Sequence, residues 1–247
     1  MGDVAKQSEI DEEILYKEFG VNAELLIDHA WGWEPCTISE IKKYKPSKTG
    51  FSEGQVLACA YSYEDAKTVC KEMVENLCQQ LVEKGLVSDH FHLSIGYDSA
   101  SDVAGYKGKY ETDFYGRTVP KTAGGTIRTS SYTSSLSVIL NAFMKKYEEK
   151  VDPSLMIRRI GVATMEVYER GNTPAKKKNS RTKAIDADKS EEERKQDQLM
   201  ELKEEKATKA IMKLKEKYGK NAILRGTNYQ KGATGRERNK QVGGHKG

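Results

Sequence analysis

YEDAKTVCKEMVENLCQQLVEKG, residues 63–85, is the stretch from which the fold can be read. Ala66, Val69, Cys70, Met73, Leu77 and Leu81 recur at spacings of three and four, the period of one helical face, and Gly85 stops the helix. Before it, GFSEGQVLACAY (50–61) contains a short strand. After it, HFHLSIGY (90–97) alternates Phe91, Leu93 and Ile95 against His90, His92 and Ser94, the two-residue period of a half-buried strand. A second set follows. GTIRTSSYTS (125–134) reads as a polar, β-branched strand. SLSVILNAFMKKYEEKV (135–151) is an amphipathic helix with Leu136, Ile139, Leu140, Phe143 and Tyr147 on one face. SLMIRRIGVATMEVY (154–168) closes the set as a strand. The order is β-α-β-β-α-β. A right-handed crossover in each half puts both helices on one face of a four-stranded antiparallel sheet. The other face has no helix to cover it, so His90, His92, Ser94 and members of the Thr126–Thr133 run must meet solvent or a partner.

The flanks differ in character. Residues 1–35 read as a small helical hairpin. Ser8 caps a helix carrying Ile14, Leu15 and Phe19 that ends at Gly20, and Asn22 caps a second with Leu25, Leu26 and Ala30 inside. Both tryptophans of the chain, Trp31 and Trp33, close this hairpin, where they are expected to anchor its end by packing. Residues 36–49 lose periodicity at KKYKPSKTG (42–50) and read as a linker before the 50–169 domain. Residues 170–190 form a charged linker without aromatics. A helix over 191–218 has only a thin apolar stripe of Leu199, Leu202, Ala210, Ile211 and Leu214, and 219–247 reads as a flexible basic tail. The expected class is α+β.

Charge is unevenly spread. Net charge is −4 over 1–49, −2 over 50–170 and +10 over 171–247. A basic arm of this kind favours a polyanionic partner, nucleic acid or an anionic membrane surface. The cysteines, Cys36, Cys59, Cys70 and Cys78, show no CxxC spacing and read as free thiols of a reducing compartment. His90 and His92 share a strand face with no third ligand type nearby, so no metal site is assigned. GATGRER (232–238) and GGHKG (243–247) are glycine-rich, but neither is a phosphate-binding GxxxxGK[ST] loop. No apolar run approaches the roughly 20 residues needed to span a bilayer. The start, MGDVAKQSEIDEE, is too polar and acidic for a signal peptide. No membrane partner and a cytoplasmic location are expected.

Three strings carry a family resemblance. MGDVAKQSEIDEEILYKEFGVNAELLIDHAWGWEP (1–35) resembles the second half of the thumb domain of Y-family translesion DNA polymerases, the DNA polymerase IV and polymerase V type. The 50–168 block, opening with FSEGQVL and closing with IRRIGV, resembles their little finger domain. KYGKNAILRGTNYQKGATGRERNKQVGGHKG (217–247) is similar to a basic extension on the enzymes of some Gram-positive bacteria. The family's palm, with its metal-binding carboxylates, has no counterpart in these strings. The acidic clusters at 11–13 and 191–193 sit at polar helix starts, where they favour the positive helix end. The resemblance therefore implies a non-catalytic portion with no cofactor of its own, Mg²⁺ belonging to the full-length enzyme.

It also implies where DNA would be held. Amides of Gly20, Val21, Asn22 and Ala23 at a helix start would approach the primer–template backbone. The uncovered sheet face would present Arg128, Ser130 and Arg158 or Arg159, since adjacent residues of one strand cannot both face DNA. Arg117 and Lys121 would join from the insertion YKGKYETDFYGRTVPK (106–121), and Lys220, Arg225, Arg236 and Arg238 from the tail. In RKQDQLMEL (194–202), Gln196, Leu199 and Met200 match the Q-x-x-L-[FM] spacing of bacterial clamp-binding peptides; the other reading gives Leu199 to the helix stripe. The expected function is the DNA-gripping C-terminal portion of a lesion-bypass polymerase in DNA repair. The alternative is an interaction or regulatory fragment acting through the sliding clamp or polymerase partners. RNA binding by the sheet is disfavoured, because no GFGFVxF-like aromatic strand is present.

Overall fold

The computed structural model describes residues 1–34, 36–44, 50–99, 106–113, 116–174, 191–242 and 245–246. It divides into two compact units, Met1–Ser47 and Lys48–Gly247.

The first unit holds α1 (Gly2–Ile10), α2 (Glu12–Phe19), α3 (Asn22–Ala30) and α4 (Ile38–Lys43). Two caps differ from expectation. Ser8 lies inside α1, and Asp11 is the N-cap of α2, its carboxylate accepting the Glu13 N–H at 2.9 Å. An acidic cap also suits the positive end of the helix. Asn22 is the first residue of α3 rather than its cap, which is Val21 without a side-chain bond. Trp31 anchors the hairpin through a hydrogen bond: its indole N–H donates to Ser8 Oγ at 3.1 Å, while both tryptophans stay more than half exposed. The linker expectation is corrected over 38–43. Thr37 and Glu40 form a reciprocal capping box that starts α4, a local signal that needs no long apolar period. Residues 45–49 lie outside the described residues.

The second unit holds β1 (Ser52–Tyr61), α5 (Tyr63–Glu83), β2 (Leu86–Tyr97), β3 (Tyr110–Thr112), β4 (Thr118–Pro120), β5 (Ala123–Thr133), α6 (Leu136–Lys150), β6 (Ile157–Glu169), α7 (Glu191–Tyr218) and a single turn, α8 (Gly235–Arg238). The main sheet runs β1-β6-β2-β5 with every neighbouring pair antiparallel. Each helical crossover skips one strand. α5 leads from β1 past β6 to β2, and α6 from β5 past β2 to β6, so the two βαβ halves interlock. The insertion between β2 and β5 folds as the β3–β4 hairpin.

All six α5 positions with helical spacing are fully buried, as are Phe91, Leu93 and Ile95 of β2. Phe143 of α6 meets Phe91 edge-on at 5.9 Å, and the Tyr147 hydroxyl donates to the Tyr63 carbonyl at 2.8 Å. The burial on α5 is wider than its core stripe. Val74, Cys78, Val82 and Glu72 are buried too, because α7 and the segment after it cover the helix's back.

This corrects the expectation of a flexible tail. Residues 219–240 fold back onto α5 around Glu72, whose side chain is 2 % exposed. Its carboxylate accepts the backbone N–H of Thr234 (2.8 Å) and of Gly235 (2.9 Å), and the Asn228 amide (2.6 Å). The chain approaches so closely that a Cβ on Gly232 would lie 2.6 Å from Asp65 Cβ, and one on Gly235 2.7 Å from Glu72 Oε1. Arg225 pairs with Glu75 at 2.8 Å and Lys231 with Asp65 at 3.8 Å. A carboxylate buried on α5 and basic residues in the tail are complementary, and the desolvated acid is satisfied only when the tail is in place. Of the charged linker 170–190, residues 175–190 lie outside the described residues.

Candidate nucleic-acid interface

The uncovered sheet face is built rung by rung from the pairing register. Across the strands it reads Val56–Arg159–Gly96, then Gly54–Gly161–Ser94–Gly124, then Ser52–Ala163–His92–Thr126, then Glu166–His90–Arg128. Side chains of directly paired residues share a face. The middle of this surface is therefore nearly bare backbone, bordered by Arg159 on one side and by hydroxyls, imidazoles and Arg128 on the other.

The rung glycines differ in why they are glycine. Gly124 has φ +120°, and a Cβ there would strike the Leu93 carbonyl, so the fold requires it. Gly54 has open space around a Cβ, and Gly161 only an ordinary 3.5 Å contact with Ser94 Cβ; neither has positive φ. The fold does not need glycine at either, although glycine weakens a strand.

The register resolves the arginine pair. Arg159 lies on the open face opposite Gly96, where a Cβ would come within 3.1 Å of Arg159 Cβ. Arg158 turns toward Asp98, with Nε 3.8 Å from Oδ2. Both line a cavity of about 420 Å³ between the sheet's end and the β3–β4 hairpin, shared with Arg117, Glu111 and Asp113. Arg117 is held by Asp113 through Nε (2.9 Å) and Nη2 (2.7 Å). Arg128 reaches Asp89 at 3.5 Å. Ser130 is half-buried on β5 and Lys121 is exposed after the hairpin. His90 Nδ1 is buried without a hydrogen bond, its nearest carboxylate being Glu166 at 3.9 Å. Burial, then the charge of Arg128, hold the His90 pKa below its ordinary value, so the ring is neutral at pH 7.

The remaining predicted positions fall elsewhere. Gly20 ends α2 with φ +58°, and the Ala23 N–H already donates to the Gly20 carbonyl at 3.0 Å, so that amide is committed within the hairpin. In the tail, Lys220 is exposed, Arg236 lies over the Tyr229 ring at 4.9 Å, Arg225 is bound to Glu75, and Arg238 is half-buried with Nε lacking a hydrogen-bond partner. Burial raises the pKa of Glu53, and the charge of Arg238 opposes that shift. On α7, Gln196, Leu199 and Met200 are all exposed, Leu199 at 52 % and Met200 at 61 %. Among the described residues no group of three or more His, Cys, Asp or Glu side chains is placed to hold a metal ion, and no helix is long and apolar enough to cross a membrane. Sequence reasoning missed the glycine rung and Glu72. An isolated glycine within a strand signals close backbone approach and could have pointed to the first. Glu72 looked like any polar helix residue.

Residues 54–179 match the family model described as the impB/mucB/samB family C-terminal domain. No curated protein matches the chain. Among solved structures, it is similar to one titled "Complex of beta-clamp processivity factor and little finger domain of PolIV", at 7 % identity and a TM-score of 0.34, over 53 % of this chain and 96 % of that one.

Proposed function

The chain belongs to the impB/mucB/samB family, and from that premise we propose that its second unit grips duplex or primer–template DNA by the sugar–phosphate backbone, as the little finger of a Y-family translesion polymerase. The observation that carries this reading is the uncovered sheet face with its bare Gly54–Gly161–Ser94–Gly124 rung. A phosphate ridge can approach such a surface to backbone distance. Arg159 and Arg128 flank it, and Ser52, Thr126 and Ser130 supply hydroxyl donors suited to phosphate oxygens. Such contacts position DNA without reading its sequence. No catalytic step and no cofactor are assigned to the described residues; Mg²⁺ would serve the full-length enzyme.

The test is fluorescence anisotropy with a labelled duplex across a salt series. With roughly 4 to 6 phosphates neutralised, log K against log salt should fall with a slope of about −4 to −5. Arg128→Ala with Arg159→Ala should flatten the slope by about 2. Gly54→Val and Gly161→Val should weaken binding several-fold while leaving the melting temperature unchanged or raised, because β-branched residues suit strands. Valine variants that bind DNA as wild type does would remove the bare rung from this account.

A second reading, action through a sliding clamp, is favoured by the exposure of Gln196, Leu199 and Met200 at i, i+3 and i+4 on one helix. Leu199→Ala with Met200→Ala should abolish binding to purified clamp and leave DNA affinity within about twofold, since no phosphate contact is touched. Equal clamp binding by wild type and variant rules the site out.

A further inference from the structure

The positive charge of the last third is redistributed by folding. In the tail, Arg225 and Lys231 are turned onto Glu75 and Asp65, Arg238 lies beside Glu53, and Lys240 pairs with Glu237. The acidic back of α5 takes up two of these charges, and acids of β1 and of the tail itself meet the other two.

α7 does the reverse. It docks through its carboxylates. Glu201 accepts from Thr133 Oγ1 at 2.8 Å, Glu204 accepts from Ser135 Oγ and from the Ser137 N–H (3.0 Å) at the start of α6, and Glu205 pairs with Arg170 at 2.8 Å. Positions 201, 204, 205, 208, 211, 212 and 215 are accordingly half-buried. With those acids turned inward, Lys203, Lys206, Lys213 and Lys217 remain on the opposite side. All four are exposed, and among the described residues none has a carboxylate partner. From Lys203 to Lys217 they span about 21 Å of helix.

We propose that this lysine row is a second nucleic-acid contact, binding the phosphate backbone of a duplex through α7, separate from the sheet face. The inference rests on the reading of the chain as a DNA-gripping domain. The occupant follows from the charge. A second copy of the same face would set lysine against lysine. A membrane would need a broad apolar face, whereas here Leu199, Leu202 and Leu214 are interrupted by Lys206 and Lys213. A polyanionic backbone matches a linear row of flexible ammonium groups, each able to displace a condensed counterion.

The experiment uses the full chain with Lys203→Gln, Lys206→Gln, Lys213→Gln and Lys217→Gln combined, and the same four positions as arginine. Anisotropy with labelled duplex is measured from low to moderate salt, with circular dichroism on each protein. The glutamine variant should keep wild-type helix content and melting temperature, bind at least tenfold more weakly at moderate salt, and flatten the slope by about 3 to 4. The arginine variant should bind as wild type does. If the glutamine variant keeps the wild-type slope while Arg128→Ala with Arg159→Ala loses it, the α7 contact is wrong and the sheet-face reading stands. If wild type shows no duplex binding at all, both fall. Vesicles of mixed phosphatidylcholine and phosphatidylserine serve as the control arm. Lysine-dependent sedimentation with vesicles, alongside an unchanged duplex slope, would assign the row to a lipid surface and overturn the proposal.

Discussion

Cys70 and Cys78 lie on the buried side of α5, whereas Cys36 and Cys59 are exposed. Burial pushes the Cys70 thiol up to about 12 and the Cys78 thiol still higher, so neither forms thiolate at working pH. A thiol-reactive chromophore at pH 8 should therefore label two cysteines of the native chain quickly and the other two only after denaturant is added. Four equal rates would contradict the packing. The sequence made all four free thiols and could not separate them by reactivity, since exposure depends on which faces are covered. Arg158 and Arg159 teach the same lesson. Their order in the chain is symmetrical, and only the β6 register, with Arg159 opposite Val56 and Gly96, gives one the open face and leaves the other beside Asp98.

At the scale of elements, the segment after α7 gathers three hydrogen bonds on one buried carboxylate, Glu72, beside the Arg225–Glu75 and Lys231–Asp65 pairs. Hydrogen bonds to a charged acceptor contribute about 1.5–3 kcal/mol each and are not additive. Glu72→Ala should thus loosen the latch by about 2–4 kcal/mol. Hydrogen exchange should speed at amides of 220–240, Thr234 and Gly235 first, while β2 and β6 keep their protection. Glu72→Gln should show a smaller effect, because its amide oxygen still accepts. Unchanged exchange in Glu72→Ala would show that Arg225–Glu75 and close packing suffice. The α7 stripe also departs from expectation. Periodicity found a real helix there, but its docking face is led by polar bonds, Glu201, Glu204 and Glu205 bonding to hydroxyls, an amide and Arg170, with Ile211 and Met212 half-buried beside them, and its leucines point away. A hydrophobic stripe marks the buried side only when burial is what attaches the helix. Here the partially positive start of α6 attracts carboxylates instead.

For the whole molecule, the proposed grip separates two sets of residues that stability and binding would use differently. Core positions of β2 and α5 should change melting temperature with little effect on salt slope, and Gly54, Gly161, Arg128 and Arg159 the opposite. The architecture was legible because its signals are local. Three-and-four spacing marks α5 and α6, two-residue alternation marks β2, and the β-α-β-β-α-β order with right-handed crossovers leaves one face of a four-stranded sheet uncovered. Those periods come from backbone geometry and are written in consecutive residues. The fate of the charge was not legible. Arg225 and Glu75 are 150 residues apart, Thr234 and Glu72 162. Whether a basic residue faces solvent or an acid across such a span is decided by which surfaces meet, and composition averages over that choice. So the sequence determined the six elements of the β-α-β-β-α-β block, their order and the +10 surplus of the last third. Only the tertiary structure decided that part of this surplus is paired in the tail, and that the net-neutral α7 turns carboxylates inward and lysines outward, because ion pairing depends on distance in space and not on distance along the chain.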